Sequence, residues 1–321
     1  MPLDSCHCVV VLPHIRIQAA NAVSSPLTWG FPAPSAFAGF AHALSRQLQT
    51  EGRNLLFDGI GIVCHRFEPQ LADARGFRPT TFRLTRNPVD KKGVTAGIVE
   101  EGRTHLTISL VLAVTGQHAP VSADEATTLA EELMSRAESM RIAGGSVLPE
   151  TVRRRIQPRG FVWEDDSQLL ATTTQLKRLL LPGFVLVERA TLLNTHVDEM
   201  QKTDPTATTF TALLDLCCLH HSADPTEPDA QKPVWRSARR KPGWLVPIPV
   251  GYGAISPVYA PGEIKDVRDR NVPFRFVETL LSLGEWISPL KVKNLNDLLW
   301  SPNARPEEGL YVLTNPSNTV N

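Results

Sequence analysis

The residues best equipped for chemistry sit together at Cys217-Cys218-Leu219-His220-His221, with Cys6-His7-Cys8 as a second group near the N-terminus. Thiolate and imidazole are donors that suit zinc, and on a helix Cys217 and His221 would share a face. The pairs are adjacent rather than spaced, however, so both members of a pair cannot easily turn toward one ion. In the ordinary reading Cys217 extends the apolar face of Leu213, Leu214 and Leu216, and the two histidines sit at the helix C-terminus. No metal and no cofactor is expected. Cys64-His65 has the composition of a nucleophile and base, yet neighbours on a strand point to opposite faces, which predicts a buried thiol and an exposed imidazole. His14, His42 and His65 could act as general acid or base in RNA cleavage, but no Lys or Tyr partner is evident around them. Asp58-Gly59-Ile60-Gly61 and Ala143-Gly144-Gly145-Ser146 are incomplete as nucleotide fingerprints and read as turns that leave room for a phosphate.

Basic clusters are the more informative signal. Segment 75–92 carries six cations against one acid, 141–159 five against one, and 236–241 four against none. Three local patches fit tracking of a phosphate backbone, with Trp29, Phe31, Phe77 and Phe82 nearby to stack on bases. The whole 321-residue chain is nevertheless neutral, with 33 basic and 33 acidic residues, so any RNA is held with help from partners. Five scattered cysteines make no disulfide framework, and no stretch approaches the roughly 20 apolar residues of a membrane span. A soluble, cytoplasmic protein is expected.

The elements that must position these residues follow from periodicity. Residues 8–18 read as a strand, and 19–40 as an uncharged loop leading to a helix capped by Ser35 with Phe37, Phe40, Ala41 and Leu44 on one face. Residues 55–69 form a second strand whose glycines favour a bulge or close backbone approach, and 72–103 a protruding arm. A strand at 104–116, a helix at 122–140 with a Ser122/Glu125 capping box, and a Gly-Gly turn at 141–149 complete a split β-α-β, ferredoxin-like unit. Domain one thus spans 1–149, 150–178 is a basic irregular connector, and 179–321 is a C-terminal α+β half with a polar linker at 222–240. There, 179–200 gives a strand and a helix, 208–221 a helix, and 309–314 a strand. Residues 274–286 and 295–300 read as helical, and the four prolines of 241–259 deny that extended segment a place inside a sheet.

Longer motifs carry a resemblance. SSPLTWGFPAPSAFAGFAHAL, DGIGIVCHRFEPQ, LTRNP, AGIVEEGRTHL, MRIAGGSVLP, LLPGFVLVERATLL, KPGWLVPIPVGYGAISPVYAPGE, RDRNVPFRFVE, LGEWISP and DLLW run in register along nearly the whole chain. Together they resemble the tail subunit of the type I-F CRISPR surveillance (Csy) complex, a RAMP-superfamily protein of the Cas-five type that holds the 5′ handle of the crRNA. The resemblance implies an α+β fold with an RRM-type ferredoxin core and an inserted thumb. It also implies a tight pair with the complex's large subunit, contact with the first copy of the backbone subunit, and target DNA met only indirectly. In that family the subunit is not an enzyme; the rival reading is a RAMP-type, metal-independent endoribonuclease that processes repeat RNA. A third is a scaffold with little RNA contact.

Under the resemblance, residue type and position suggest the RNA-contacting set: Asn21, Ser24, Ser25, Trp29 and Phe31 in the loop after strand one, Arg66 on strand two, and Arg83, Arg86 and Asn87 in the arm. Arg141, Gly144 and Gly145 at the Gly-Gly turn and Arg239 and Arg240 in the third basic cluster complete it. Trp244, Trp286 and Trp300 are expected at a partner interface.

Overall fold

The computed structural model of the chain describes residues 6–72, 80–83, 89, 91–94, 101–150, 156–223 and 235–315. The β-branched N-terminal run forms strand β1 (Cys8–Asn21), followed by the short pair β2 (Val23–Ser25) and β3 (Thr28–Trp29) and by helix α1 (Pro34–Thr50). Ser35 is not the cap of α1. Pro34 takes the first helical position, where a missing N–H breaks no bond, and Ala33 precedes it without a side-chain cap. Strand β4 (Leu56–Pro69) leads into the arm, of which β5 (Leu71–Ala72) and β6 (Thr81–Phe82) pair with each other. Arg86 and Asn87, with most of the arm, lie outside the described residues.

Strand β7 (Arg103–Thr115) and helix α2 (Ala123–Ala137) follow, and Ser122 caps the helix by accepting from the Glu125 N–H. The Glu125 carboxylate reaches back to the Val121 N–H, one residue before the cap. Strands β8 (Arg141–Ile142) and β9 (Gly145–Val147) form the Gly-Gly hairpin. The resulting order is β4-β7-β1-β9, all neighbours antiparallel, so each strand-helix-strand crossover leaves one strand of the other unit between its ends. Helices α1 and α2 cover one face, packing Phe37, Leu44, Leu48, Leu129 and Leu133 on Val10, Leu12, Ile15 and Leu110.

Residues 150–178, expected as an irregular connector, contain strand β10 (Arg159–Val162), which pairs with β1, and helix α3 (Asp166–Leu179), capped by Asp165. Helix α3 covers part of the opposite sheet face: Leu176 and Leu180 pack with Val9, Val11, Val63 and Val111. Strand β11 (Phe184–Glu188), helices α4 (Ala190–Gln201) and α5 (Thr209–Cys217), and the hairpin β12 (His220–Ala223) with β13 (Trp235–Ala238) come next. The 222–240 linker is therefore partly a hairpin.

The C-terminal half departs furthest from expectation. Residues 277–287, within the segment read as a helix, form strand β15 (Val277–Ile287), paired on one side with β14 (Leu245–Ala254) and on the other with β11. Residues 295–298 make one 3₁₀ turn before strand β16 (Leu299–Arg305). Strand β14 lies inside the sheet despite its prolines, because β17 (Leu310–Thr314) pairs only with Gly251–Gly253. Pro247 and Pro249 lie beyond that overlap and leave no β17 carbonyl without its donor. Strands β16 and β11 both pair with the edge of β4 that β7 leaves open, at Ile60–Gly61 and Val63–Cys64 respectively, so β4-β16-β17-β14-β15-β11 closes on itself. Gly61 allows this packing: a side chain there would meet Leu298 at 2.7 Å.

Trp300, expected at a partner interface, is 0% exposed inside this ring, and its indole N–H donates to the Leu186 carbonyl at 2.9 Å. Among the described residues no helix is long and apolar enough to cross a membrane. Replacing Trp300 by Ala should destabilise the fold by about 3–5 kcal/mol, and Trp300→Phe, which gives up the indole bond, by about 1–3 kcal/mol. Urea denaturation followed by circular dichroism checks both; equal midpoints for wild type and Trp300→Ala would contradict this packing role.

Candidate nucleic-acid interface

The loop at 22–33 forms a ridge between two concave surfaces that share Ser24 and Pro32. The first, of about 630 Å³, brings together Asn21, Ser24, Arg141 and Gly144 from the expected RNA set, beside the start of α1. Its hairpin turn carries positive φ at both Ala143 (50°) and Gly144 (76°), and the Ala143 carbonyl accepts from the Asn21 N–H at 2.8 Å. Gly145 lets the turn lie flat on β1, since a side chain there would strike Ala20 N and Gln18 O at 2.7 Å. Gly145 thus serves packing, while Gly144 faces open space. Arg141 is exposed and has no ion-pair partner among the described residues.

Opposite the turn, α1 presents a first turn with no acid and no side-chain cap, so its N–H groups and the positive end of its dipole stay available to an anion. Ala36, Gly39 and Ala43 keep that wall low. The far wall is Tyr252 on β14 and Tyr311 on β17, direct cross-strand neighbours that the sequence reading did not single out. Burial, and then the neighbouring Tyr252, hold the Tyr311 hydroxyl above its ordinary range. The only sequence signal for this pair was an aromatic in GYG, and nothing local tied it to Tyr311.

The remaining polar loop residues shape the ridge. Asn21 spends both amide atoms on the Val23 backbone. Ser24 and Ser25 bond the Thr28 hydroxyl at 2.9 and 2.7 Å, and Ser25 is buried. Arg66 lies on a separate surface with Arg16 and His105 and pairs with Glu68 at 2.9 Å. Arg83 donates to the Leu71 carbonyl at 3.0 Å, at the base of the arm. Arg240 pairs with Asp215, and Lys241 with Glu199, so the third basic cluster is partly neutralised; Arg239 beside them is exposed.

The second surface, of about 430 Å³, is aromatic. Trp29 meets Phe82 edge-on, Phe31 packs on Phe37 and Trp286, and Trp244 packs on Phe184 and Trp286. Thus Trp29 and Phe31, expected to stack on RNA, share a groove with Trp244 and Trp286, expected to meet a partner.

The histidines are arranged differently from the reading of the sequence. His14 and His65 occupy bulges on the two strands that flank β7, and their rings stack at 4.0 Å over Ser109. Cys64 and His65 are both partly buried rather than one in and one out. The Pro182 carbonyl can only accept, so His65 Nδ1 donates to it at 2.5 Å. His65 Nε2 then accepts from the Ser109 hydroxyl at 2.6 Å, whose oxygen accepts from the His14 N–H. The chain resembles a relay, yet Ser109 is 1% exposed and out of reach of a substrate. His42 is exposed on α1, away from it. Burial pushes the Cys64 thiol up to about 12 and the Cys217 thiol to about 11, far from thiolate chemistry. His220 and His221 lie on a strand, not on the helix with Cys217, and no described group of three or more ligands could hold a metal.

Fold and grooves define an antiparallel α+β protein with concave surfaces suited to binding. Residues 10–313 match the family model described as CRISPR-associated protein (Cas_Csy2). The chain is also 47% identical, over 323 residues and 98% of each chain, to CRISPR-associated protein Csy2 of Pseudomonas aeruginosa strain UCBPP-PA14. The chain belongs to the Csy2 family of the type I-F CRISPR system, as its motifs indicated.

Burial holds the His65 pKa below its ordinary value of 6.5. The unfolded chain then takes up the proton first, so stability present above about pH 6.5 is lost as pH falls toward the lower folded value. Acidification from about pH 7.5 to about pH 5.5 should lower the melting temperature less in His65→Gln than in wild type. Parallel pH curves would refute that origin.

Proposed function

We propose that this chain is a non-catalytic RNA-binding subunit of the type I-F surveillance complex that seats the crRNA 5′ handle in the Arg141–tyrosine groove. The observation that carries the reading is the convergence there of an unpaired arginine, an open Gly144 turn, an uncapped helix N-terminus and two tyrosines. Phosphates suit the first three and splayed bases suit the last, which is how single-stranded RNA is held. The strand order β4-β7-β1-β9 supports a RAMP-type ferredoxin core of the RRM kind, and the β5–β6 base supports a thumb continuing toward Arg86 and Asn87. Arg83 at that base, and Arg66 and Arg239 outside the groove, would add contacts to the handle or its flanks. The chain pairs with the large subunit, touches the first backbone subunit and meets target DNA only through the complex, in the cytoplasm.

In complexes reconstituted with crRNA, Arg141→Ala and the double change Tyr252→Ala/Tyr311→Ala should each weaken retention of the handle by about tenfold or more, corresponding to about 1–3 kcal/mol per lost stacked base. The Arg141 variant should also lose part of the salt dependence. Retention unchanged in both variants would dismiss the groove. Incubation with repeat RNA should leave it intact; cleavage abolished by His14, His42 or His65 substitution would instead establish the nuclease reading.

A further inference from the structure

The two grooves divide their work by charge. No Asp, Glu, Lys, Arg or His side chain lines the aromatic groove, although the other groove has Arg141 and the open end of α1. We propose that the aromatic groove seats an apolar, uncharged segment of another protein chain, and not nucleic acid. A nucleotide brings a phosphate for every base, and this surface offers it no cation and no helix N-terminus. The ring geometry argues the same way. The ring pairs here cross at 89°, 81°, 75° and 50°, so none of these pairs presents parallel faces between which a base could slide.

What the groove does offer is the anatomy of a protein hot spot. Leu27, Trp29 and Trp244 are 71%, 60% and 52% exposed, and Phe67 and Phe184 are also uncovered. Large apolar side chains clustered this way mark a surface that another chain covers. Their rings are already held by Phe82, Trp286 and one another, so little rotamer freedom remains to be lost on docking. The Ser24–Thr28 hydroxyls supply a polar rim on the ridge. The occupant is therefore a segment that inserts aliphatic or aromatic side chains and carries no charge where it enters. This rests on the reading that the chain works inside a multi-chain complex, and it assigns the ridge one nucleic-acid side and one protein side.

The test places the photo-crosslinker p-benzoylphenylalanine at Leu27 and, separately, at Tyr252, in complexes assembled with crRNA and the large subunit. From position 27 the expected adduct is an apolar peptide of another protein subunit. An adduct to crRNA, to a second copy of this chain, or to nothing in an intact complex would overturn the proposal. From position 252 the expected adduct is RNA, and its absence alone would sink the RNA groove while leaving the protein groove standing. Leu27→Asp, a change at an exposed turn, should lower co-purification of the large subunit by about tenfold or more with handle retention intact. Undiminished pairing in that variant would count against the assignment as firmly as an RNA adduct.

Discussion

The structure depends on one edge. Strand β4 gives its whole length on one side to β7, and on the other it takes β16 at Ile60–Gly61 and β11 at Val63–Cys64. An unpaired central edge would leave backbone donors and acceptors without partners, so these short pairings also settle where the C-terminal half sits. Once both contacts form, the ring through β17, β14 and β15 closes, Trp300 is sealed inside it, and Tyr311 and Tyr252 come to rest beside α1. The polar groove is thus a seam between the two halves of the chain.

The ridge at 22–33 is built for shape more than for contact. Its hydroxyls and its asparagine satisfy one another or the local backbone, which leaves a rigid, uncharged wall between two surfaces of different chemistry. On one side the features are those that hold phosphates and bases. On the other they are bulky rings and a leucine. The lack of charge in this stretch follows from position, because a charged side chain would sit beside the aromatic groove or between the two packed halves, where desolvation is costly.

Much of the N-terminal half was legible because its signals are local. The β-branched run of β1, the Ser122 cap and the Gly-Gly turn each state their structure within a few residues. The Arg141 and Gly144 side of the groove followed from that turn. Tyr252 and Tyr311 did not, because they lie 59 positions apart in the chain and meet only through β14–β17 pairing. The His14–His65–Ser109 stack was equally hidden, since it needs two bulges on separate strands to aim both rings at one hydroxyl.

By itself the sequence determined the family, the elements of the first half, and the local basic and aromatic composition that points to RNA. Periodicity could not decide 277–287: Leu280, Leu281, Leu283 and Trp286 satisfy a helical spacing, and the segment became a strand because β11 and β14 offer partners on both sides. Nor could composition separate one tryptophan from another. Trp300 is enclosed and Trp244 exposed for the same reason that Pro247 can lie inside a sheet: which neighbour covers a residue is set by how distant strands close, and that is a property of the folded chain alone.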